Sequence, residues 1–281
     1  MSRTLISRFA PSPTGRLHLG HAWSALRAHD LARGAGGTFL LRIEDIDPTR
    51  CRPEHVEGIF EDLRWLGLDW DGAVVFQSAR LPLYAAALDR LKAMGLAYPC
   101  FCTRARIAAE IAASAAAPHG PDGPLYPGIC RALDGAERAA RIAAGEPHAW
   151  RLDVARAAAR AGPLAWHDAR AGEVVAAPEI HGDVVLARKD APTSYHLAVT
   201  VDDAAQGVTD VVRGEDLFAA THVHRLLQAL LDLPSPLYRH HALLTDAKGE
   251  RLAKRAGSPT LASMRADGAD PAALLAHLRT R

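Results

Sequence analysis

Short apolar runs alternate with helical patterns along the first third of the chain. In order, the pattern predicts strand 4–9, helix 19–33, strand 38–43, helix 53–66, strand 74–76 and helix 81–94. The first helix should end at Gly34, because glycine commonly terminates helices. Residues 38–43 (Thr-Phe-Leu-Leu-Arg-Ile) are apolar enough to be buried on both faces of a sheet. This alternation predicts an α/β fold with a doubly wound parallel sheet.

The middle of the chain interrupts the alternation. Residues 95–180 contain an alanine-rich stretch, many of the prolines and three of the four cysteines. The alternation returns with predicted strands at 184–186, 195–201, 208–212 and 237–244, and with a helix whose apolar positions Val223, Leu226, Leu227, Leu230 and Leu231 share one face. We therefore predict four segments: the first half of the sheet domain (1–95), an inserted subdomain (96–180), the second half (181–245), and a loop with a short helical remnant (246–281).

The composition is that of an ordinary globular protein. Of the 281 residues, 49% are hydrophobic and 23% are charged, and the formal net charge is +1. Nucleic-acid binding would therefore need a local basic surface. The sequence contains no apolar run of membrane length and no signal peptide, and its four cysteines do not make a disulfide scaffold. We expect a cytoplasmic protein, and a monomer.

Residues 8–21 (Arg-Phe-Ala-Pro-Ser-Pro-Thr-Gly-Arg-Leu-His-Leu-Gly-His) carry the most chemical information. The run is a strand, a Pro/Gly turn and a helix start. A helix N-terminus offers unpaired N–H groups and a positive dipole end, which suits phosphate. Gly20 would allow a nucleotide to approach the backbone, and His18 and His21 can donate to phosphate oxygens. The alternative for such a run is a capped helix with two surface histidines.

This run resembles the glutamyl-tRNA synthetase family of class I synthetases. His18-Leu-Gly-His21 is similar to the first family signature, and residues 8–15 to the lead-in of the glutamate-specific branch. Further similar segments are 42–47 (Arg-Ile-Glu-Asp-Ile-Asp), 195–203 (Tyr-His-Leu-Ala-Val-Thr-Val-Asp-Asp) and 207–216 (Gly-Val-Thr-Asp-Val-Val-Arg-Gly-Glu-Asp). The resemblance covers roughly residues 4–256 and implies a Rossmann-like domain that activates glutamate as an adenylate.

The resemblance also implies a glutamate-binding set, which is Arg8, Ser12, Glu44, Tyr195 and Arg213. Their chemistry fits the substrate: an arginine fork binds a carboxylate, and a glutamate side chain balances an ammonium group. Structural ion pairs are the alternative for the charged members. Activation needs no general base, since the α-carboxylate is already ionised at neutral pH. His18, Gly20 and His21 would bind ATP, which normally enters such reactions with Mg²⁺.

The second family signature falls on residues 251–255 (Arg-Leu-Ala-Lys-Arg). The segment departs from the family pattern, because Arg251 replaces the first lysine and Ala253 replaces the serine. Lys254 stands where the second lysine of the family stands. The resemblance implies that Lys254 contacts the pyrophosphate of ATP, and a solvated basic loop is the alternative.

The cysteines of the insertion predict a structural zinc site. The three are Cys100, Cys102 and Cys130. Three soft ligands close together in a cytosolic chain are typical of zinc, and a closed site needs a fourth ligand. His119 is the generic choice, whereas the resemblance implies Tyr126. Cys51 is expected to be a small packed side chain, and three ordinary thiols are the alternative to the metal site.

The expected acceptor follows from the family branch that the chain resembles. Long members carry a C-terminal region that grips the anticodon, whereas this chain stops at Arg281. It is therefore similar to a short branch whose members attach glutamate to queuosine in the anticodon of tRNA(Asp). Arg104, Arg106 and Arg131 flank the predicted zinc ligands and could meet RNA phosphates. The alternatives are a truncated enzyme that charges tRNA(Glu), or a non-catalytic synthetase-like zinc- and RNA-binding protein.

Overall fold

Helices follow most of the strands in the computed structural model, which describes residues 4–113, 119–121, 123–245 and 259–281. The helices are α1 (Leu19–Gly34), α2 (Pro53–Trp65), α3 (Leu81–Ala93), α4 (Arg104–Ala113), α5 (Gly135–Ala143), α6 (Val154–Ala161), α7 (Tyr195–Ala205), α8 (Ala220–Leu230), α9 (Leu261–Ala266) and α10 (Pro271–Arg279). The strands are β1 (Ile6–Phe9), β2 (Thr38–Ile43), β3 (Val75–Phe76), β4 (Ala97–Cys100), β5 (His119–Gly120), β6 (Gly123–Pro124), β7 (Ala149–Leu152), β8 (Ala165–Asp168), β9 (Gly172–Val175), β10 (Val185–Ala187), β11 (Asp210–Gly214) and β12 (Leu237–His241).

Two parallel half-sheets form the centre of the fold. One has the order β1-β2-β3, and the other has the order β11-β12-β8 with β9 antiparallel at its edge. They meet where the backbone N–H of Thr209 donates to the carbonyl of Ile6 at 2.9 Å. Further along, Nη1 of Arg8 donates to the Val212 carbonyl at 3.3 Å. The predicted α/β architecture is confirmed, and β1 and β11 border a cleft at their carboxyl ends.

A separate antiparallel sheet has the order β10-β7-β4. Its strands and those of the second half-sheet interleave along the chain. β8 ends at Asp168 and pairs with β12, whereas β10 begins later, at Val185, and pairs with β7. The four segment bounds stay a prediction. Strands on either side of residue 180 pair with each other's segments: β8 joins β12 of the later segment, and β10 joins β7 of the earlier one.

The prediction of a strand at 195–201 is wrong, because these residues form the first part of α7. The segment is rich in β-branched residues, and residues 197–200 are all buried, so it lacks the polar face that normally marks a helix. The helix packs Leu197 into the core and turns Asp202 and Asp203 inward. The Thr200 hydroxyl donates to the His196 carbonyl four residues earlier at 2.8 Å.

The core holds the helices that border the cleft. The predicted stripe of α8 is buried, with Val223, Leu226 and Leu227 fully covered beside Leu197 of α7. Each such side chain contributes about 1.5–3 kcal/mol on burial, so α7 and α8 are firmly fixed. Within the described ranges, no helix is long and apolar enough to cross a membrane. The cytoplasmic location and the monomeric state remain predictions.

Candidate active site

A cavity of about 420 Å³ lies at the carboxyl ends of β1, β2 and β11, and we name it the central cavity. This is where parallel α/β sheets usually bind ligands. Eight predicted site residues line it: Arg8, Ser12, His18, Gly20, His21, Glu44, Tyr195 and Arg213. Lys254 lies outside the described residues. The structure therefore brings together the described members of the predicted glutamate and ATP sets, and their individual roles stay predictions.

The two signature histidines cap helix α1. Nδ1 of His18 accepts from the N–H of Gly20 at 3.1 Å, and Nδ1 of His21 accepts from the N–H of His18 at 3.2 Å. Because each Nδ1 accepts a hydrogen bond, a neutral ring carries its own proton on Nε2. The capping role that was the alternative prediction is real, and in it Nδ1 of each ring is the acceptor. Both rings line the central cavity beside the positive end of α1.

Arg8 is already engaged by a carboxylate. Its Nε and Nη2 donate to the two oxygens of Asp203 at 3.0 and 3.3 Å. Arg42, which is fully buried, donates to the same carboxylate at 2.8 Å and to Glu44 at 3.2 Å. Burial alone would raise the pKa of Asp203, but the charges of Arg8 and Arg42 outweigh it and hold that pKa below its usual value. The structural ion pairs considered as alternatives for Arg8 and Glu44 are therefore present.

Asp202 anchors the other side of this network. Its carboxylate accepts from Arg80 at 2.7 Å, from Gln77 at 2.9 Å and from the Tyr84 hydroxyl at 2.7 Å. The network thus contains three arginines and three acids, namely Arg8, Arg42, Arg80, Glu44, Asp202 and Asp203. Its charges balance, so none of these arginines brings a net positive charge to the cavity.

Arg213 is different, because its guanidinium contacts neutral groups. The five acceptors around it are His240 Nε2 at 3.2 Å, Tyr195 Oη at 3.3 Å, His224 Nδ1 at 3.2 Å, the Leu217 carbonyl at 3.2 Å and Thr221 Oγ1 at 2.6 Å. No carboxylate of a described residue lies within 4.0 Å of it. The side chain is nevertheless buried. A buried charge normally requires a counter-charge, and an anionic ligand in the central cavity would supply one.

The histidines beside Arg213 are held neutral. Burial, reinforced by the Arg213 charge, lowers the pKa of His240 to about 4, although Asp168 opposes the shift. The same two causes lower the pKa of His224 well below its ordinary value. Neutral imidazoles can accept hydrogen bonds from Arg213 without cancelling its charge. The site therefore keeps a full positive charge at the position of Arg213.

The three cysteines of the insertion converge on Tyr126. Their Sγ atoms, from Cys100, Cys102 and Cys130, all lie within 4.8 Å of one another. The Tyr126 hydroxyl lies 3.4 Å from Cys100 Sγ and 3.6 Å from Cys102 Sγ. Burial raises the pKa of Cys102 to about 11, so its thiol stays protonated at neutral pH unless a cation compensates. Three thiols and a phenol in one buried group have the donor chemistry of a zinc site. The side chain of His119 is outside the described part.

Comparison with known proteins places this chain. Residues 4–281 match the catalytic domain of tRNA synthetases class I (E and Q). The chain belongs to this synthetase family. The Glutamyl-Q tRNA(Asp) synthetase of Rhodobacter capsulatus is 53% identical and is covered over 97% of its length by 95% of this chain. That of Nocardia farcinica is 46% identical, with 96% of this chain covering 82% of it.

A solved relative shares the fold of this class I synthetase. The glutamate-tRNA synthetase from Elizabethkingia anophelis superposes with a TM-score of 0.77 at 28% identity. The match covers 92% of the present chain and 55% of that protein, so the chain spans about half the length of the solved relative. The likeness therefore extends to the α/β domain and its insertion.

A second cavity of about 1050 Å³, which we name the wide cavity, adjoins the central one. Ser12, Thr14, Glu44 and Tyr195 line both. The far wall comes from the inserted segment and includes Cys102, Thr103, Arg104 and Tyr126. Basic side chains in its lining are Arg50, Arg104, Arg151, Arg188 and Lys189. A molecule bound in the wide cavity can therefore contact residues that also line the central cavity.

All three predicted phosphate contacts are exposed in the synthetase, and one of them is also ion-paired. Arg104 and Arg106 are exposed in the first turn of α4. Arg131 forms an ion pair with the buried Asp183 at 2.8 Å.

Cys51 is separate from the cysteine cluster and borders the wide cavity.

Sequence reasoning missed the acids and histidines that hold the arginines. Asp202 and Asp203 end an apolar run, and paired acids at the end of a buried element are a signal for buried ion pairs. His240 lies one residue before the end of β12, and polar residues at the carboxyl end of a parallel strand commonly face a ligand. Asp168 ends β8 and so carries the same signal, although it is linked to Arg213 only through His240. No local pattern singles out Thr221, which contacts Arg213 directly.

Proposed function

We propose that this synthetase activates glutamate with ATP, without requiring tRNA, and transfers it to queuosine in the anticodon of tRNA(Asp). The observation that carries the proposal is Arg213, a buried cation facing the central cavity with neutral partners among the described residues. It lies in the same cavity as the N-terminus of α1, which suits phosphate. An anionic amino acid and a nucleotide therefore have complementary positions in one site.

Glutamate would be bound by charge complementarity. Arg213 would take a carboxylate of the substrate, and an arginine fork does this through two parallel hydrogen bonds. Glu44, which faces both cavities, would hold the ammonium group. Tyr195 and Ser12 would line the side chain. The guanidinium of Arg8 is paired with Asp203, so Arg8 shapes the wall of the pocket and supplies no unbalanced charge to the substrate.

Adenylate formation then depends on positioning. An oxygen of the α-carboxylate attacks the α-phosphorus of ATP, the bond from this phosphorus to the oxygen that bridges the α- and β-phosphates breaks, and pyrophosphate leaves with the electron pair. Mg²⁺, which normally accompanies ATP, would neutralise part of the phosphate charge. The Nε2–H groups of His18 and His21 would donate to phosphate oxygens as negative charge redistributes. Gly20 would let the nucleotide approach the first turn of α1. Lys254, by its resemblance to the second family signature, would contact the pyrophosphate.

Transfer would occur from the wide cavity. A hydroxyl of the queuosine ring attacks the carbonyl carbon of glutamyl-adenylate, and an ester forms. The bond from this carbon to the phosphate oxygen breaks, AMP leaves with the electron pair, and the hydroxyl proton passes to the departing phosphate. Proteins read RNA mainly through unpaired bases, and an anticodon loop presents such bases. The exposed Arg104 at the rim suits a phosphate of that loop.

The insertion would be held by one structural zinc ion. Cys100, Cys102 and Cys130 would supply thiolates, with Tyr126 as the fourth ligand and His119 as the alternative. When bound, zinc would compensate the thiolate charges and tie β4 to the turn that carries Cys130. This would stiffen the wall of the wide cavity, to which Cys102 and Tyr126 belong.

Two assays test the proposal in sequence. Exchange of labelled pyrophosphate into ATP should depend on glutamate and proceed without tRNA, whereas glutamine and aspartate should support little exchange. Labelled glutamate should then transfer to tRNA(Asp) that contains queuosine. The matched control is tRNA from cells unable to make queuosine, whose 3′ ends are intact. Efficient charging of that control would assign the chain to tRNA(Glu) instead, and absence of exchange would support a non-catalytic protein.

A further inference from the structure

Three adjacent parallel strands place an arginine, a histidine and an aspartate side by side. Arg213 of β11 stands directly opposite His240 of β12 in the pairing register. Asp168 ends β8 and lies opposite Tyr238, two residues before His240 on β12. The side chains of Asp168 and His240 are almost completely buried, at 1% and 0% exposure. The row runs from the central cavity into the interior of the second half-sheet.

Asp168 uses both carboxylate oxygens as acceptors. Oδ1 accepts from the backbone N–H groups of Arg170 and Ala171, each at 2.9 Å. Oδ2 accepts from the backbone N–H of His240 at 3.1 Å and from its Nδ1 at 2.8 Å. Four N–H groups therefore point at the carboxylate. A protonated Asp168 would direct its O–H at one of these donors. This arrangement requires an ionised aspartate and fixes its orientation.

The aspartate determines which nitrogen of His240 carries the proton. Since Nδ1 must donate to Asp168, Nε2 of the neutral ring is an acceptor. Nε2 lies 3.2 Å from Nε of Arg213 and 3.3 Å from the hydroxyl of Thr221. The ring itself is stacked on Tyr238 with an interplanar angle of 6° and contacts Phe218 at a centroid distance of 5.0 Å. His240 is therefore held in one position and one tautomer.

We propose that Asp168 and His240 are positioning residues that orient the Arg213 guanidinium through a neutral acceptor and so preserve its charge for a substrate carboxylate. A carboxylate placed directly against Arg213 would also orient it, but it would compete with the substrate. The intervening imidazole separates the two functions. This inference rests on the proposed role of Arg213 in glutamate binding.

The first test is Asp168→Asn, measured by glutamate-dependent pyrophosphate exchange. An amide cannot accept four N–H groups, because its nitrogen is a donor, so the variant must turn His240 to the Nε2–H tautomer or lose contacts of the turn. The first change points an N–H of His240 at Arg213, and the second releases the side chain that holds His240 in place. We expect the KM for glutamate to rise about tenfold or more, with the KM for ATP unchanged. Losing a group that orients a metal ligand has an effect of this size.

Two His240 variants keep the test sharp if Asp168→Asn folds poorly. His240→Gln retains a side-chain oxygen that can accept from Arg213, whereas His240→Leu does not. The KM for glutamate should rise more in the leucine variant than in the glutamine variant. Asp210→Asn is the matched control, since Asp210 is a buried aspartate at the opposite end of β11 whose ion pair is with Arg239. Its KM for glutamate should equal that of the wild type.

The outcomes separate the inference from the proposed function. An Arg213→Ala variant with an unchanged KM for glutamate would remove Arg213 from the pocket, and both proposals for it would fall. If Arg213→Ala raises that KM but Asp168→Asn and His240→Leu do not, the proposed function stands and the positioning role is wrong. Equal increases in the KM for ATP and for glutamate would also overturn it, because they would indicate general damage to the sheet.

Discussion

Asp203 is the residue whose replacement should disturb the site most broadly. Its carboxylate lies between two guanidinium groups, with Nε of Arg8 at 3.0 Å and Nη1 of Arg42 at 2.8 Å. In Asp203→Asn the side chain keeps its size but loses its charge. Arg42 would retain Glu44 as a partner at 3.2 Å, whereas Arg8 has no second carboxylate within 4.0 Å among the described residues. One buried positive charge is then left unbalanced.

The magnitude follows from the burial of all three groups. Breaking a buried ion pair by removing one partner typically costs about 3–5 kcal/mol. For a domain of this size, 1 kcal/mol corresponds to about 2–4 °C in Tm, so the loss should be about 6–20 °C. Asp89→Asn is the matched surface control, since Asp89 pairs with Lys92 at 3.0 Å but its side chain is 71% exposed. Its cost should be about 0–1 kcal/mol.

The assay is thermal unfolding of wild type, Asp203→Asn and Asp89→Asn as a function of pH. The pKa of Asp203 is lowered in the folded protein, so its stabilising contribution is present above the pKa of the unfolded chain, near 4, and is lost as the pH falls through the folded value. The difference in Tm between wild type and Asp203→Asn should therefore be largest at neutral pH and should shrink in acid. A Tm for Asp203→Asn equal to that of Asp89→Asn at pH 7 would refute the reasoning.

Three further predictions concern metal, phosphate and RNA. Purified protein should contain about one zinc per chain; Cys102→Ser should lose it and Cys51→Ser should keep it by elemental analysis, and the reverse result would contradict the ligand assignment. His21→Ala should lower kcat for pyrophosphate exchange about 10²–10³-fold if its donor acts on developing charge, and an unchanged kcat would leave it only a capping role. Arg104→Ala should weaken glutamate transfer to tRNA and reduce the log–log salt slope of RNA binding by about one unit, while exchange without tRNA stays at the wild-type rate.

The sequence predicted the helices that bury only one face and the strands that form short apolar runs. Helices α2 and α3 were predicted to within a few residues, and the apolar stripe correctly indicated α8. Helix α7 was not, because it is covered on nearly every side and its β-branched residues favour a strand when tertiary contacts are ignored. The pairing of β8 with β12 and of β10 with β7 was not predictable either, because it depends on tertiary contacts that no local sequence pattern contains.

The sequence predicted which residues line the central cavity but not how each arginine there is paired. Residues of the recognised motifs, such as His18 and Arg213, line one cavity, because motif position carries information about three-dimensional position. The state of each arginine was not predictable. Arg8 and Arg213 are equivalent as sequence letters, yet Asp203 occupies one fork and neutral rings surround the other. That distinction depends on contacts between residues nearly two hundred positions apart.

The pairing of Arg8 and Arg42 with Asp203 has a consequence for how the protein is made. The partners are separated by 195 and 161 positions in the chain. At 5–20 residues per second, a ribosome needs about 10–40 s to synthesise the aspartate after the arginines. During that interval the first half-sheet carries two cations that cannot yet be buried with their partner. The N-terminal half should therefore emerge as an incompletely packed intermediate, and its packing should be completed only after α7 has supplied Asp203 and β11 has followed.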